Sequence, residues 1–282
     1  MKKTLLLLLC LCLLFTSIIS CESPCAHADK QMHPAVAATN ENPGNIAYKE
    51  CSVCHKYFDN VDPLKEITLD STITYAVIYN ENKPGEISAT VANMPQGASY
   101  QSGSLITKPD SPTLTDCVFG GWYTDSGCTK AFDFTQTKVT LTLTLYAKWI
   151  LSSVVKDGVQ YALFDNNGVS EYEIKGCSAD TVKLILLAEI EGIPVTRIAD
   201  NAFSNKSQLT GDLTIPDSVT SIGVNAFFGC KGFDKTLTIG NSVASIGNYA
   251  FWACSGFTDL VYKGEVKPTL GTDVFLGCQI GQ

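Results

Sequence analysis

Apolar residues return at a fixed interval through the last third of the chain. Val195, Val219 and Val243 stand 24 positions apart. Three positions further on come Ile198, Ile222, Ile246 and Leu270, and five beyond those come Phe203, Phe227, Phe251 and Phe275. Ala202, Ala226, Ala250 and Val274 precede the phenylalanines, and Cys230, Cys254 and Cys278 form another column, read as small buried side chains with disulfides between neighbouring coils as the alternative. A unit this short cannot bury such residues alone. A fixed period of this length therefore predicts a solenoid whose coils stack and cover one another. Leu213-Thr-Ile215 and Leu237-Thr-Ile239 alternate and predict strands. In the same register Val261 continues the leucine column, but Lys263 replaces the isoleucines. A lysine at an inward position is costly, so the last strand is expected to be distorted or turned to solvent. Upstream, Asp157-Gly-Val-Gln-Tyr161-Ala-Leu-Phe-Asp-Asn166 alternates and turns, predicting a hairpin that caps the array.

Between residues 66 and 150 the period is two. Ile73, Tyr75, Val77 and Tyr79 alternate along one expected strand, and Val139, Leu141, Leu143 and Leu145 along another. Asn80–Gly85 and Pro95–Gly97 supply turn residues. Phe119, Trp122, Phe132, Phe134 and Trp149 offer aromatics for a compact core. Trp122 and Trp149 are read as core residues rather than as a sugar-stacking pair. Cys117 and Cys128 fit either a disulfide or two buried thiols. Residues 21–62 show neither period, and with few large apolar residues they can hardly build a core of their own. Before them, Lys2 and Lys3 precede an apolar run, Leu5–Phe15, too short to span a bilayer comfortably. This is the pattern of an export signal over residues 1–20.

Composition narrows the function. The 282-residue chain carries a net charge of −8. Without residues 1–20, which hold two lysines and no acid, 18 bases face 28 acids. A nucleic-acid partner is therefore excluded, since no basic footprint exists. All three histidines, His27, His33 and His55, lie in the N-terminal segment. The later regions have no histidine base, no Gly-x-Ser-x-Gly and no phosphate-binding glycine loop, so the chain is read as no enzyme.

The N-terminal segment carries the candidate chemistry. Cys25-x-His27 and Cys51-x-x-Cys54 have the spacing of a closed tetrahedral zinc site, and Zn²⁺ is the expected cofactor. His33 is an alternative to His27. The same residues also allow a Cys51–Cys54 disulfide in an oxidising compartment, covalent haem attachment at Cys51-Ser-Val-Cys54-His55, or an unstructured tether. Haem demands an apolar pocket that this polar stretch can hardly supply.

Three stretches resemble known bacterial sequences. Ile18-Ile19-Ser20-Cys21 is similar to a lipobox, which implies a lipid on Cys21. That gives a cell-envelope protein, lipid-anchored at the outer membrane and surface-exposed, with the membrane as one partner. Phe119-Gly-Gly-Trp122-Tyr-Thr-Asp125 and Leu145-Tyr-Ala-Lys-Trp149 resemble the Listeria–Bacteroides repeat, a β-grasp-like module of surface proteins, over about residues 70–150. Leu213-Thr-Ile215-Pro-Asp-Ser-Val219-Thr-Ser-Ile222-Gly-Val-Asn-Ala-Phe227-Phe-Gly-Cys230 resembles the BspA-like leucine-rich repeat over about 150–282. Ala35–Thr39 and Gly44–Phe58 resemble a short Cys-rich module of gut-bacterial surface proteins. The expected fold is mainly β: a short leucine-rich-repeat solenoid (151–282) preceded by a small β-grasp-like domain (66–150) and a Cys/His-rich segment (21–65). The implied function is a non-enzymatic adhesion or protein-interaction module for a host or bacterial surface protein or glycan ligand. Outward columns at Thr214, Thr238 and Tyr262, and at Phe228 and Trp252, are the candidate partner contacts; packing over the coil edges is the other reading of these residues. The alternative is a metal- or redox-handling protein that works through the Cys/His segment.

Overall fold

The computed structural model describes residues 27, 29–85 and 87–280. The export signal, Cys21 and Cys25 lie outside these. The fold is almost entirely sheet, and among the described residues no α-helix forms. The chain divides into two compact units. One runs to Thr113 and adds Phe119–Lys148; the other takes Leu114–Val118 and continues from Trp149.

The first nine strands are β1 (Lys30–His33), β2 (Gly44–Asn45), β3 (Tyr48–Cys51), β4 (Tyr57–Asp59), β5 (Glu66–Ile67), β6 (Ile73–Asn80), β7 (Ala98–Gln101), β8 (Cys117–Tyr123) and β9 (Leu143–Leu151); all but the first two residues of β8 and the last three of β9 fall in the first unit. β1, β3, β4 and β5 form an antiparallel sheet. A second sheet runs β2-β6-β9-β8, with β7 along β6 and with β6 and β9 parallel. The alternation expected from Val139 begins later. Val139 bonds through its backbone to Ser104 and Gly103, outside the strand. Leu141 is 60% exposed. From Leu143 the period-two pattern holds, with Leu145, Ala147 and Trp149 buried. Trp122 is buried against Tyr79 and Phe119, as a core aromatic should be.

The second unit is the solenoid. β10 (Ser153–Lys156), β11 (Val159–Asn166) and β12 (Val169–Cys177) form antiparallel hairpins at its start, as the sequence led one to expect. β13 (Glu189–Ile190) pairs with β14 (Ile193–Ile198). From there the pairing is parallel: β14, β16 (Ser221–Ile222), β18 (Ser245–Ile246) and β20 (Thr269–Leu270) continue the sheet at 24-residue steps. β15 (Gly211–Thr214), β17 (Phe233–Ile239) and β19 (Asp259–Tyr262) make a second parallel sheet. Each coil thus contributes one strand to each sheet, and the ladder residues fill the space between them.

Like residues stack on like. Phe203, Phe227, Phe251 and Phe275 lie ring on ring at 4.9, 5.1 and 5.5 Å. Phe233 and Phe257 form a second stack at 5.0 Å. The cysteine column is a ladder of thiols, not of disulfides. Cys230, Cys254 and Cys278 are free. Each donates its S–H to the carbonyl of Phe203, Phe227 and Phe251 respectively, at 2.9–3.0 Å. The neighbouring thiols Cys230 and Cys278, and then burial, push the Cys254 thiol well above its ordinary value. Cys117 and Cys128 are also free, their thiols raised mainly by burial.

The last strand breaks the expected register. β15 and β17 pair Leu213 with Leu237, but β19 aligns Leu260 with Leu237 and Tyr262 with Ile239. One residue is missing between Phe257 and β19, and one is restored before β20. Leu260 and Tyr262 therefore pack toward the core, while Val261 and Lys263 turn outward. The inward lysine is avoided by a slip of one position, which reverses the facing of every side chain in the strand. Lys263 reaches Asp217 at 3.3 Å on the surface.

Candidate functional site

The β3–β4 hairpin builds the Cys/His cluster. Cys51 N–H donates to Lys56 and His55 N–H to Cys51, both at 2.9 Å. His55 takes a left-handed conformation at φ 55°, which closes the turn. The backbone and hydroxyl of Ser52 both donate to the Asp29 carbonyl, tying the turn to the chain just after His27. The His27 ring rests on Phe58 at 4.7 Å. As a result His27, Cys51 and Cys54 place one donor atom each within 4.8 Å of one another. Cys51 is fully buried.

The donor set suits zinc. With metal–sulfur bonds of about 2.3 Å and metal–nitrogen bonds of about 2.05 Å, a tetrahedron has a sulfur–nitrogen edge of about 3.6 Å. Cys54 Sγ and His27 Nδ1 lie 3.6 Å apart. Cys54 is a free thiol, which does not match the Cys51–Cys54 disulfide alternative. The cluster contains His27 and not His33. His33 stacks on Tyr48 at 4.5 Å and approaches Glu50 at 3.2 Å. His55 contacts the same carboxylate at 2.8 Å and is the main cause of Glu50's lowered pKa. The fourth expected ligand, Cys25, lies outside the described residues.

On the solenoid, the two aromatic column residues come together. Phe228 and Trp252 stack at 4.6 Å with 10° between their planes. Both are partly exposed, and neither belongs to the core cluster. Thr214 is exposed and Thr238 half-buried on the second sheet, as an outward column requires. Tyr262 is the exception. The register slip carries it inward beside Ile239, and burial raises its hydroxyl pKa. Arg197, the chain's single arginine, belongs to none of the columns that the sequence singles out.

Fold and columns together define a leucine-rich-repeat solenoid attached to a small β module. Comparison with known families agrees. Residues 187–282 match the BspA type leucine rich repeat region in six copies, and residues 75–148 match the Listeria-Bacteroides repeat domain. The chain therefore carries both modules. Two curated relatives from Evansella cellulosilytica, named as a Gly-rich membrane protein and a membrane protein, are similar in part. They are 32% identical over 38% of this chain and 38% identical over 28% of it. The match spans 11% of the length of each relative. Among solved structures, a Treponema pallidum leucine-rich-repeat protein is 25% identical at TM-score 0.37, over 43% of this chain and 55% of its own. A leucine-rich cell surface protein of Faecalibacterium prausnitzii is 27% identical at TM-score 0.33, over 39% of this chain and 32% of its own. Among the described residues no helix is long and apolar enough to cross a membrane.

Proposed function

We propose that the chain is a bacterial cell-surface lipoprotein that binds a partner through its leucine-rich repeats and performs no catalysis. The Phe228–Trp252 pair carries this reading. Two large rings are held stacked yet lie outside the core. Exposed Leu276 follows in the same column. Preordered aromatics at a surface lose little entropy on binding and serve as anchors for a partner. Thr214 and Thr238 add hydroxyls on the second sheet. The partner is a host or bacterial surface protein or glycan. Lys2, Lys3, the Leu5–Phe15 run and Cys21 support a lipid tether to the cell envelope.

Whole cells test both parts. Cells carrying the native chain should adhere to a ligand-coated surface. Trp252→Ser should stay on the cell and reduce adhesion at least ten-fold, whereas Cys21→Ser should release the chain into the medium. Equal adhesion by native and Trp252→Ser cells would remove the aromatic pair from the reading. Retention of Cys21→Ser on the cell would remove the lipid.

The His27–Cys51–Cys54 cluster favours a second reading, metal handling by the N-terminal segment. The cluster would hold Zn²⁺ with Cys25 as fourth ligand. Structural zinc is worth roughly 10–16 kcal/mol in small domains, more than this segment's apolar burial could give. Elemental analysis should find zinc in the purified chain and lose it in Cys51→Ser. A native chain without zinc would end this reading. Deleting residues 22–62 separates the two, since partner binding should survive and metal content vanish.

A further inference from the structure

The chain's only arginine lies in a hollow on the long sheet of the solenoid. Adjacent strands line it: Glu173 and Lys175 stand on β12, Arg197 on β14 and Ser221 on β16, while Phe164 on β11 lies against Arg197 outside the lining. Pairing sets Glu173, Arg197 and Ser221 side by side on successive strands. Asp200 closes the rim, on the turn leaving β14. The hollow opens to solvent and has a volume of about 360 Å³.

Arg197 is held but not used. Its guanidinium lies over the Phe164 ring at 4.4 Å, a cation–π contact that restrains the side chain. Each neighbouring carboxylate pairs through one oxygen with a group other than Arg197. Glu173 pairs with Lys175 at 2.9 Å, and Asp200 accepts the Val224 N–H at 2.6 Å. Among the described residues no carboxylate pairs with Arg197. A guanidinium presents five donors in a planar fork that matches a carboxylate's two oxygens. Restraining that side chain in advance lowers the entropy cost of binding.

We propose that this hollow binds an acidic sugar residue, its carboxylate on Arg197 and its hydroxyls on Asp200, Glu173 and Ser221. The rim carboxylates repel a second negative charge and accept hydrogen bonds. The fitting ligand therefore carries one carboxylate and otherwise hydroxyl groups. The acidity of the whole chain, −8, works against non-specific polyanion binding. Sulfated polymers and acidic peptides fit less well. The inference deepens the binding reading above but uses residues other than Phe228 and Trp252, so the two can fail separately.

Calorimetry with the full chain tests it, using a short oligogalacturonide, its neutral methyl ester and a tri-glutamate peptide. The oligogalacturonide should bind saturably, and the ester and the peptide at least ten-fold more weakly. R197Q should abolish binding. R197K, which keeps the charge and loses the fork, should weaken it at least ten-fold while melting like the parent. W252S should bind the sugar normally. The proposal is overturned if the parent chain ignores the oligogalacturonide or binds the peptide equally well. It is also overturned if R197Q or R197K binds as the parent does, or if only W252S loses the sugar.

Discussion

Replacing Phe227 by alanine should lower the stability of the solenoid by about 3–5 kcal/mol, the usual cost of deleting a buried aromatic ring. Phe227 is fully buried. Its ring is sandwiched between Phe203 at 4.9 Å and Phe251 at 5.1 Å, and meets Phe233 edge-on at 6.4 Å. The backbone around it is fixed, because Phe227 N–H donates to Ala250 and its carbonyl accepts the Cys254 thiol. Neighbouring coils cannot close the gap without breaking those bonds, so the void persists. In a solenoid each coil contacts only its neighbours, and a defect in the middle uncouples the two sides. Phe275→Ala, at the half-buried end of the ladder, should cost less than half as much. Hydrogen exchange at repeat amides, read in rising urea, reports this unit separately from the other. Equal protection in Phe227→Ala and the native chain would mean that the stack contributes nothing.

The ladder was legible in the sequence because every buried column repeats the same residue type at one interval. The CxxC turn was legible because its spacing is local and the hairpin closes within five residues. Other features depend on facts a periodic reading cannot hold. The slip at β19 is hidden because a deletion after Phe257 and an insertion before Thr269 cancel, leaving Leu270 in step with Ile246. Only the energetic cost of Lys263 at an inward position hinted at it. Val139 and Leu141 continue the alternation of Leu143 and Leu145, yet their backbone partners begin the strand at Leu143. Arg197 and Phe164 meet through two pairings and a register shift beside Glu173, which no sequence interval encodes.

Gly256→Ala should destabilise the same unit by about 3 kcal/mol, the upper end of the usual cost of overpacking. Space, not backbone freedom, is the reason, because Gly256 is not in the left-handed region. A β-carbon there would lie 1.8 Å from the Phe233 carbonyl oxygen and 3.0 Å from that of Lys231. Gly232 repeats the arrangement one coil earlier, 2.1 Å from the Ser207 oxygen. The obstacle is backbone, which cannot rotate away as a side chain would. Relief requires moving the coil, which pulls Phe257 off Phe233 and strains the Thr258–Lys235 hydrogen bond of 3.0 Å. Gly85→Ala is the control, since nothing lies within 4 Å of its would-be β-carbon; its effect should stay within about 0.5 kcal/mol. A Gly256→Ala chain that unfolds at the native urea concentration would show that the coils can spread. Phe227→Ala removes volume and Gly256→Ala adds it, yet both should weaken the array. Hydrogen bonds between coils fix their spacing near 4.8 Å, so the interior can neither collapse nor expand.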